Sequence, residues 1–276
     1  MTPTAAAPRA PFLVMAHHRS GSNFLNDLLQ AHPQLECLNE PLSMHTDFFR
    51  CRDLELWRGG DYEPGHLHPS LAADPQLREF LVDFRDYLLQ SNDRRVVGFK
   101  ETVLFGKLGW IKAFLPPLKV LLLVRDPYAV VSSVLRTRLL PFWNYARFVP
   151  PAFAALHPGY RCQGASADPG VQAAEVVAMS VAVRHDLARR SLGQFDHLEV
   201  RLADLMRDPE PVLSAIAGFL EVEPDGSPLA FARHRQAETR GGLFSSFRAA
   251  DDVENTWRRD LAPEQVRVVS DVLSCA

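Results

Sequence analysis

Between residues 12 and 33 the chain passes from a solid apolar run, Phe12-Leu13-Val14-Met15-Ala16, into a polar stretch, His17-His18-Arg19-Ser20-Gly21-Ser22-Asn23. Apolar positions then return at Phe24, Leu25, Leu28 and Leu29. A run that is apolar at every position predicts a strand covered on both faces. The i, i+4 spacing behind it predicts a packed helix. The pattern recurs along the chain. "QLECLNE", "RRVVGFKE", "LKVLLLVRDP" and "HLEVRL" predict four further strands, the first three ending at Glu40, Lys100 and Arg125. Asp126 suits an N-cap and Pro127 a first helical turn leading into "YAVVSSVLRTR". Pro209 or Pro211 can open another helix, and "APEQVRVVSDVLS" reads as a C-terminal one. Short apolar strands alternating with helical stretches predict an α/β fold with a largely parallel sheet.

Two stretches break the alternation. Residues 42–75 are rich in turn formers, and residues 141–170 carry Pro141, Pro150, Pro151, Pro158 and Pro169 among many aromatics. Long irregular segments of this kind serve as lids or binding loops, or are disordered. The small-residue tail "MTPTAAAPRAP" (1–11) is expected to be disordered, leaving residues 12–276 as a single domain.

Composition narrows the function classes. The formal net charge of −3 argues against a nucleic-acid partner, so any anionic ligand must be met by a local cluster of Arg and Lys. No window is long and apolar enough for a membrane span or a signal peptide, which predicts a cytoplasmic protein. Cys37, Cys51, Cys162 and Cys275 show no metal-ligand spacing and read as free thiols. His66 and His68 form H-x-H without a carboxylate or Cys pattern, and no metal is expected.

The chemistry should gather at one sheet edge, because ligands of open parallel α/β sheets bind outside the carboxyl ends of the strands. Arg19, Glu40, Lys100 and Arg125 all stand at or just beyond such ends. In the first loop, Gly21 lets backbone N–H groups turn inward, and a helix opening near Ser22 presents free N–H groups and a positive dipole end. Ser20, Ser22 and Asn23 add side-chain donors, and Arg19 adds a charged fork. An ATP-binding loop would read G-x-x-x-x-G-K-[ST]; the second Gly and the Lys-Ser/Thr pair are missing here, which favours a nucleotide held without a metal.

These residues resemble a known family. "HHRSGSNFLNDLLQAHP" is similar to the 5′-phosphosulfate-binding loop of sulfotransferases that use 3′-phosphoadenosine 5′-phosphosulfate (PAPS). "LVRDPYAVVSSVLRTR" resembles their 3′-phosphate motif, an Arg closing a strand and a Ser eight residues later, here Arg125 and Ser133. "VRLADLMRDPEPVLSAIAGFL" and "NTWRRDLAPEQ" resemble later family segments, in the family's order. The resemblance implies a P-loop-kinase-like fold and PAPS as co-substrate. It implies that Arg19, Ser20, Gly21, Ser22 and Asn23 hold the 5′-phosphosulfate, with Phe24 also among the cofactor-binding residues, and that Arg125 and Ser133 hold the 3′-phosphate. Glu40 falls where tyrosyl-protein and several bacterial carbohydrate sulfotransferases keep a catalytic carboxylate, and Lys100 where the tyrosyl-protein branch has a lysine near the sulfuryl group. Two departures stand out: Leu202-Ala203 replaces the family's Tyr-Glu before "DL", and "SSFRAADDVENTW" replaces R-K-G-x-x-G-x-W, with Arg248 the nearest substitute.

In-line sulfuryl transfer to a hydroxyl needs a base for the acceptor proton and positive charge beside the departing oxygen. Glu40 suits the first role, Arg19 and Lys100 the second. His17, His18 and His45 are rival bases; Asp204 and Arg201 read as braces of the sheet edge. Phe142, Trp143, Tyr145, Phe148, Phe153 and Tyr160 suggest either an aromatic lid over a hydrophobic acceptor or a packed excursion of the core. A carbohydrate or peptidyl-tyrosine acceptor, a nucleotide-dependent kinase and a catalytically silent nucleotide-binding protein stay open as alternatives.

Overall fold

The structure, a computed structural model, describes residues 9–42, 61–62, 74–92, 95–137, 145–163, 168–237 and 250–276, with 250–252 described by backbone alone. Five strands, β1 (Phe12–Ala16), β2 (Leu35–Asn39), β3 (Val96–Glu101), β4 (Lys119–Val124) and β5 (Asp196–Arg201), form one sheet in the order β2-β3-β1-β4-β5. Every pairing is parallel. After β1 the chain runs to the edge of the sheet for β2 and returns inward to β3, then crosses to the other side of β1 and builds outward through β4 and β5. The crossing point lies at β1, which is where a crevice opens at the carboxyl ends of such a sheet.

The helices are α1 (Ser22–Gln30), α2 (Pro75–Leu88), α3 (Leu108–Phe114), α4 (Pro127–Thr137), α5 (Tyr145–Leu156), α6 (Pro169–Leu192), α7 (Leu202–Arg207), α8 (Pro209–Leu220), α9 (Ser227–Ala237), α10 (Ala250–Asn255), α11 (Trp257–Asp260) and α12 (Pro263–Cys275). A 3₁₀ turn, Phe105–Lys107, precedes α3. Asp-Pro dipeptides open α2, α4, α6 and α8. The Pro supplies a pre-set first turn in each, and in the first three the Asp side chain supplies the cap, whereas Asp208 makes no cap hydrogen bond. Asp74 accepts from Gln76 N at 2.9 Å, Asp126 from Ala129 N at 3.0 Å and Asp168 from Gly170 N at 2.7 Å.

Side chains of β1 alternate between two cores, as strand geometry dictates. Phe12, Val14 and Ala16 pack with Phe24, Leu25 and Leu28 of α1 and Ile216 and Leu220 of α8. Leu13 and Met15 pack with the core built around α6 and α12, which includes Val177, Val181, Val268 and Val269. All five β1 residues are fully buried, matching the continuous apolar run.

The stretch 141–170, expected to be irregular, holds α5 over residues 145–156. Tyr145, Val149 and Phe153 recur every four residues and are all buried, and this face outweighs the two prolines inside the helix. Most of residues 42–75, together with residues 1–8, lies outside the described residues. Among the described residues, no helix is long and apolar enough to cross a membrane.

Candidate active site

The loop after β1 is a tight turn closed by Ser20 N donating to His17 O at 3.1 Å. Gly21 follows with φ 84 and caps α1 without a side chain, leaving the first-turn N–H groups of that helix uncapped by it. Arg19 has φ 67, and Glu40, beyond the end of β2, has φ 50. Only three non-glycine residues among those described adopt positive φ, and two of them are expected site residues. Backbone held in that region costs about 1–3 kcal/mol per residue and collects at functional sites.

Register brings the other candidates alongside. Asn39 lies opposite Lys100, and Lys100 lies opposite Val14 two residues before the end of β1. Lys100 is fully buried, and its ammonium donates to Asn23 Oδ1 at 2.9 Å and to Glu40 Oε1 at 2.7 Å. One cation thus ties the start of α1 to the carboxylate after β2. Thr102 adds a longer contact to the same Glu40 oxygen at 3.4 Å, and Glu40 N donates to Lys100 O at 2.8 Å. The Glu40 side chain remains 18% exposed.

On the other side of β1, Arg19 Nε donates to Ser133 Oγ at 3.1 Å, so the first loop touches α4 directly. Arg125, after β4, donates to Arg19 O at 2.7 Å and to Val253 O. Arg19, Glu40, Lys100, Asn23, Arg125 and Ser133 therefore converge at one edge of the sheet. Ser20 and Ser22 are buried in the turn, and the Phe24 ring, 4% exposed, belongs to the core beneath α1 rather than to the open edge.

His17 and His18 are turned to other tasks. His17 Nδ1 lies 2.7 Å from the His18 carbonyl and Nε2 3.1 Å from Ser180 Oγ, so both ring nitrogens are engaged inside the protein. Burial first, and the Arg184 guanidinium second, hold its pKa well below the usual histidine range. His18 Nε2 lies 3.5 Å from Arg184 Nη2, a group that can only donate. His45, His66, His68, Arg248, Phe142 and Trp143 lie outside the described residues. Tyr145 and Phe153 are core residues, and the Tyr160 hydroxyl donates to Glu175 at 2.9 Å, so these three rings belong to a packed excursion rather than a lid. Arg201 pairs with Glu199 on the exposed β5 edge, and Asp204 pairs with Arg207 three residues on in α7. Among the described residues, Cys37, Cys162 and Cys275 are free thiols, and no group of three or more His, Cys, Asp or Glu side chains is placed to hold a metal.

A model of the sulfotransferase family matches residues 11–226, which contain the first loop, Glu40, Lys100, Arg125 and Ser133. The chain belongs to the sulfotransferase family. Nodulation protein NoeE of Sinorhizobium fredii (strain NBRC 101917 / NGR234) is 26% identical over 279 residues, covering 92% of this chain and 61% of its own length, so the sulfotransferase spans under two thirds of that relative. Among solved structures, the sulfotransferase domain of the Synechococcus PCC 7002 olefin synthase superposes with a TM-score of 0.53 at 20% identity, covering 98% of this chain and 96% of the other. Mouse sulfotransferase SULT7A1, solved in complex with PAP, gives a TM-score of 0.52 at 14% identity and covers 98% and 85%. At these identities the structural likeness speaks for the fold alone.

Sequence reasoning passed over a second buried cluster in this sulfotransferase. Asp61, Arg184 and Lys107 are all within 1% of full burial; Arg184 pairs with Asp61 at 2.5 Å, and Lys107 Nζ lies 3.9 Å from Asp61. Burial works most strongly against the charge on Arg184, but the Asp61 carboxylate, with Tyr62 and Tyr145, together outweighs it and the pKa is raised. The sequence carried one signal for this: Ser180 and Arg184 stand four apart in the apolar run "VVAMSVAVRHDLA".

Proposed function

We propose that this sulfotransferase moves the sulfuryl group from PAPS to a hydroxyl of a small-molecule acceptor, with Glu40 as general base. The observation that carries the reading is the Lys100 ammonium, held 2.9 Å from Asn23 on the donor loop and 2.7 Å from Glu40. Donor-side charge and acceptor-side base are thereby set at one place.

The residues take the following roles. The Gly21 turn and the opening of α1 present N–H groups to the 5′-phosphosulfate, with Ser20, Ser22 and Asn23 beside them. Arg125 and Ser133 receive the 3′-phosphate, and Arg19 bridges the two ends through Ser133. The acceptor oxygen forms a bond to sulfur as the bond from sulfur to the bridging phosphate oxygen breaks. The acceptor proton passes to Glu40. Positive charge from Arg19 and Lys100 meets the negative charge that builds on the departing oxygen. A partner such as adenosine 3′,5′-bisphosphate (PAP), the ligand named with mouse SULT7A1, is the product that leaves. The case for an aromatic acceptor is narrower than the sequence implied, because Tyr145 and Phe153 are committed to the core.

Two measurements test the reading. PAP at saturating concentration raises the melting temperature while ADP does not, as a ligand of the folded state must. Glu40→Gln keeps the PAP shift and loses about 100-fold or more in turnover with labelled PAPS across an acceptor panel. Equal protection by ADP, or full turnover in Glu40→Gln, overturns it.

A further inference from the structure

Ser180 lies midway along α6 with no exposed surface. Its hydroxyl is 3.1 Å from His17 Nε2 and 3.1 Å from the Tyr62 hydroxyl. One arrangement of hydrogens satisfies this chain. The His18 carbonyl can only accept, so His17 Nδ1 carries the hydrogen across the 2.7 Å contact. The neutral ring then offers a bare Nε2, which accepts from Ser180 Oγ–H. The Ser180 oxygen in turn accepts from the Tyr62 O–H.

Tyr62 is fixed through its neighbour. The Asp61 carboxylate accepts from Phe105 N at 2.7 Å, its carbonyl accepts from Gly106 N at 3.1 Å, and Arg184 pairs with it. The Arg184 guanidinium also lies 5.0 Å from the centre of the Tyr62 ring.

The far end of the chain is the His18–Arg19 peptide. In a trans peptide the C=O and N–H point in opposite directions. Holding the His18 oxygen on the buried His17 ring aims the Arg19 N–H the other way, at a residue whose φ of 67 is unfavourable for its own side chain.

We propose that Ser180 is a positioning residue for the donor-gripping turn, setting the His18–Arg19 peptide through the His17 ring, with Tyr62 keeping the Ser180 hydroxyl aimed at that ring. The link to donor binding rests on the function proposed above; the link to the turn does not.

The experiment uses the whole chain as Ser180→Ala, Tyr62→Phe, the double variant and Ser180→Thr, with PAP as probe. In ligand-free Ser180→Ala, exchange of the Ser20 amide quickens about tenfold while β4 amides keep their rates, the effect of one lost buried hydrogen bond on a local opening. The PAP dissociation constant rises about tenfold in Ser180→Ala and about threefold in Tyr62→Phe. The double variant is no weaker than Ser180→Ala alone, because Tyr62 acts only through that hydroxyl. Ser180→Thr, which keeps the hydroxyl, restores both readings. Unchanged Ser20 exchange in Ser180→Ala, or quickening spread equally over β4, overturns the proposal. If the unaltered chain does not bind PAP while Ser180→Ala still loosens Ser20 selectively, the donor assignment falls and the positioning of the turn stands.

Discussion

Gly21 meets two demands that no other residue type satisfies together. Its φ of +84 is left-handed, and a Cβ built on it would fall 2.8 Å and 2.9 Å from the two methyl carbons of Leu202. Gly21→Ala is expected to cost about 1–2 kcal/mol in denaturant unfolding from the backbone conformation alone. Leu202 must also shift, moving the N–H groups of Ser22 and Asn23, so PAP affinity by calorimetry should fall at least about tenfold, a drop of about 1.4 kcal/mol. An affinity that survives intact would mean the turn does not grip the donor. At this scale the residue types were informative: Gly21, Arg19 and Lys100 could be picked from the sequence because strand ends and glycine turns have a chemistry of their own. Other features were hidden. Nothing local announces that Glu40 bends to φ 50, or that His17 turns inward to Ser180 on a helix more than 160 positions away.

Among the elements, β1 and β3 meet where the Phe12 ring lies over the bare backbone of Gly98. Phe12 lies opposite Gly98 in the register, and a Cβ at Gly98 would sit 2.5 Å from the Phe12 ring. Gly98→Ala should therefore destabilise by about 1–3 kcal/mol through overpacking, read as a lowered melting temperature. Combining it with Phe12→Leu should recover part of the loss, and a neutral Gly98→Ala would show that the ring has room to move. β1 and β4 were the most legible strands, because strands covered on both faces are apolar at nearly every position, whereas β2 and β5 at the edges of the sheet carry polar residues. Helix α5 was masked by Pro150 and Pro151, although Tyr145, Val149 and Phe153 carry its period. Helix α6 was the hardest to interpret, since much of its surface is buried and its Ser180 and Arg184 gain meaning only from His17, Tyr62 and Asp61.

For the molecule as a whole, pH should act through its buried imidazoles. His17 and His185 are both held below the ordinary histidine value, in each case chiefly by burial. The unfolded chain binds protons there that the folded chain does not, so stability is full above pH of about 6.5 and declines as pH falls below it. Glu254, whose carboxyl is raised by burial, works in the opposite sense at lower pH. Melting temperature should be lower at pH 5.5 than at pH 7.5, and a flat profile would show that the two rings are protonated in the folded state. The edge on which the site gathers could be anticipated from the strand ends, but the order β2-β3-β1-β4-β5 could not, because pairing depends on crossovers that leave no local mark. That order makes Lys100 and Arg125 flank the first turn from opposite sides.

Arg125 depends on more than the sheet. One arm of its fork is held by Arg19, and the other by the backbone at Val253, while the stretch recognisable as sulfotransferase stops at residue 226. A fragment trimmed at that border would lose the Val253 tether of Arg125 and also Val268, Val269 and Val272 of α12, which are fully buried in the core that Leu13 and Met15 share. The recognisable portion of this chain is thus smaller than its folding unit: the same C-terminal stretch that steadies Arg125 also closes the core beneath β1.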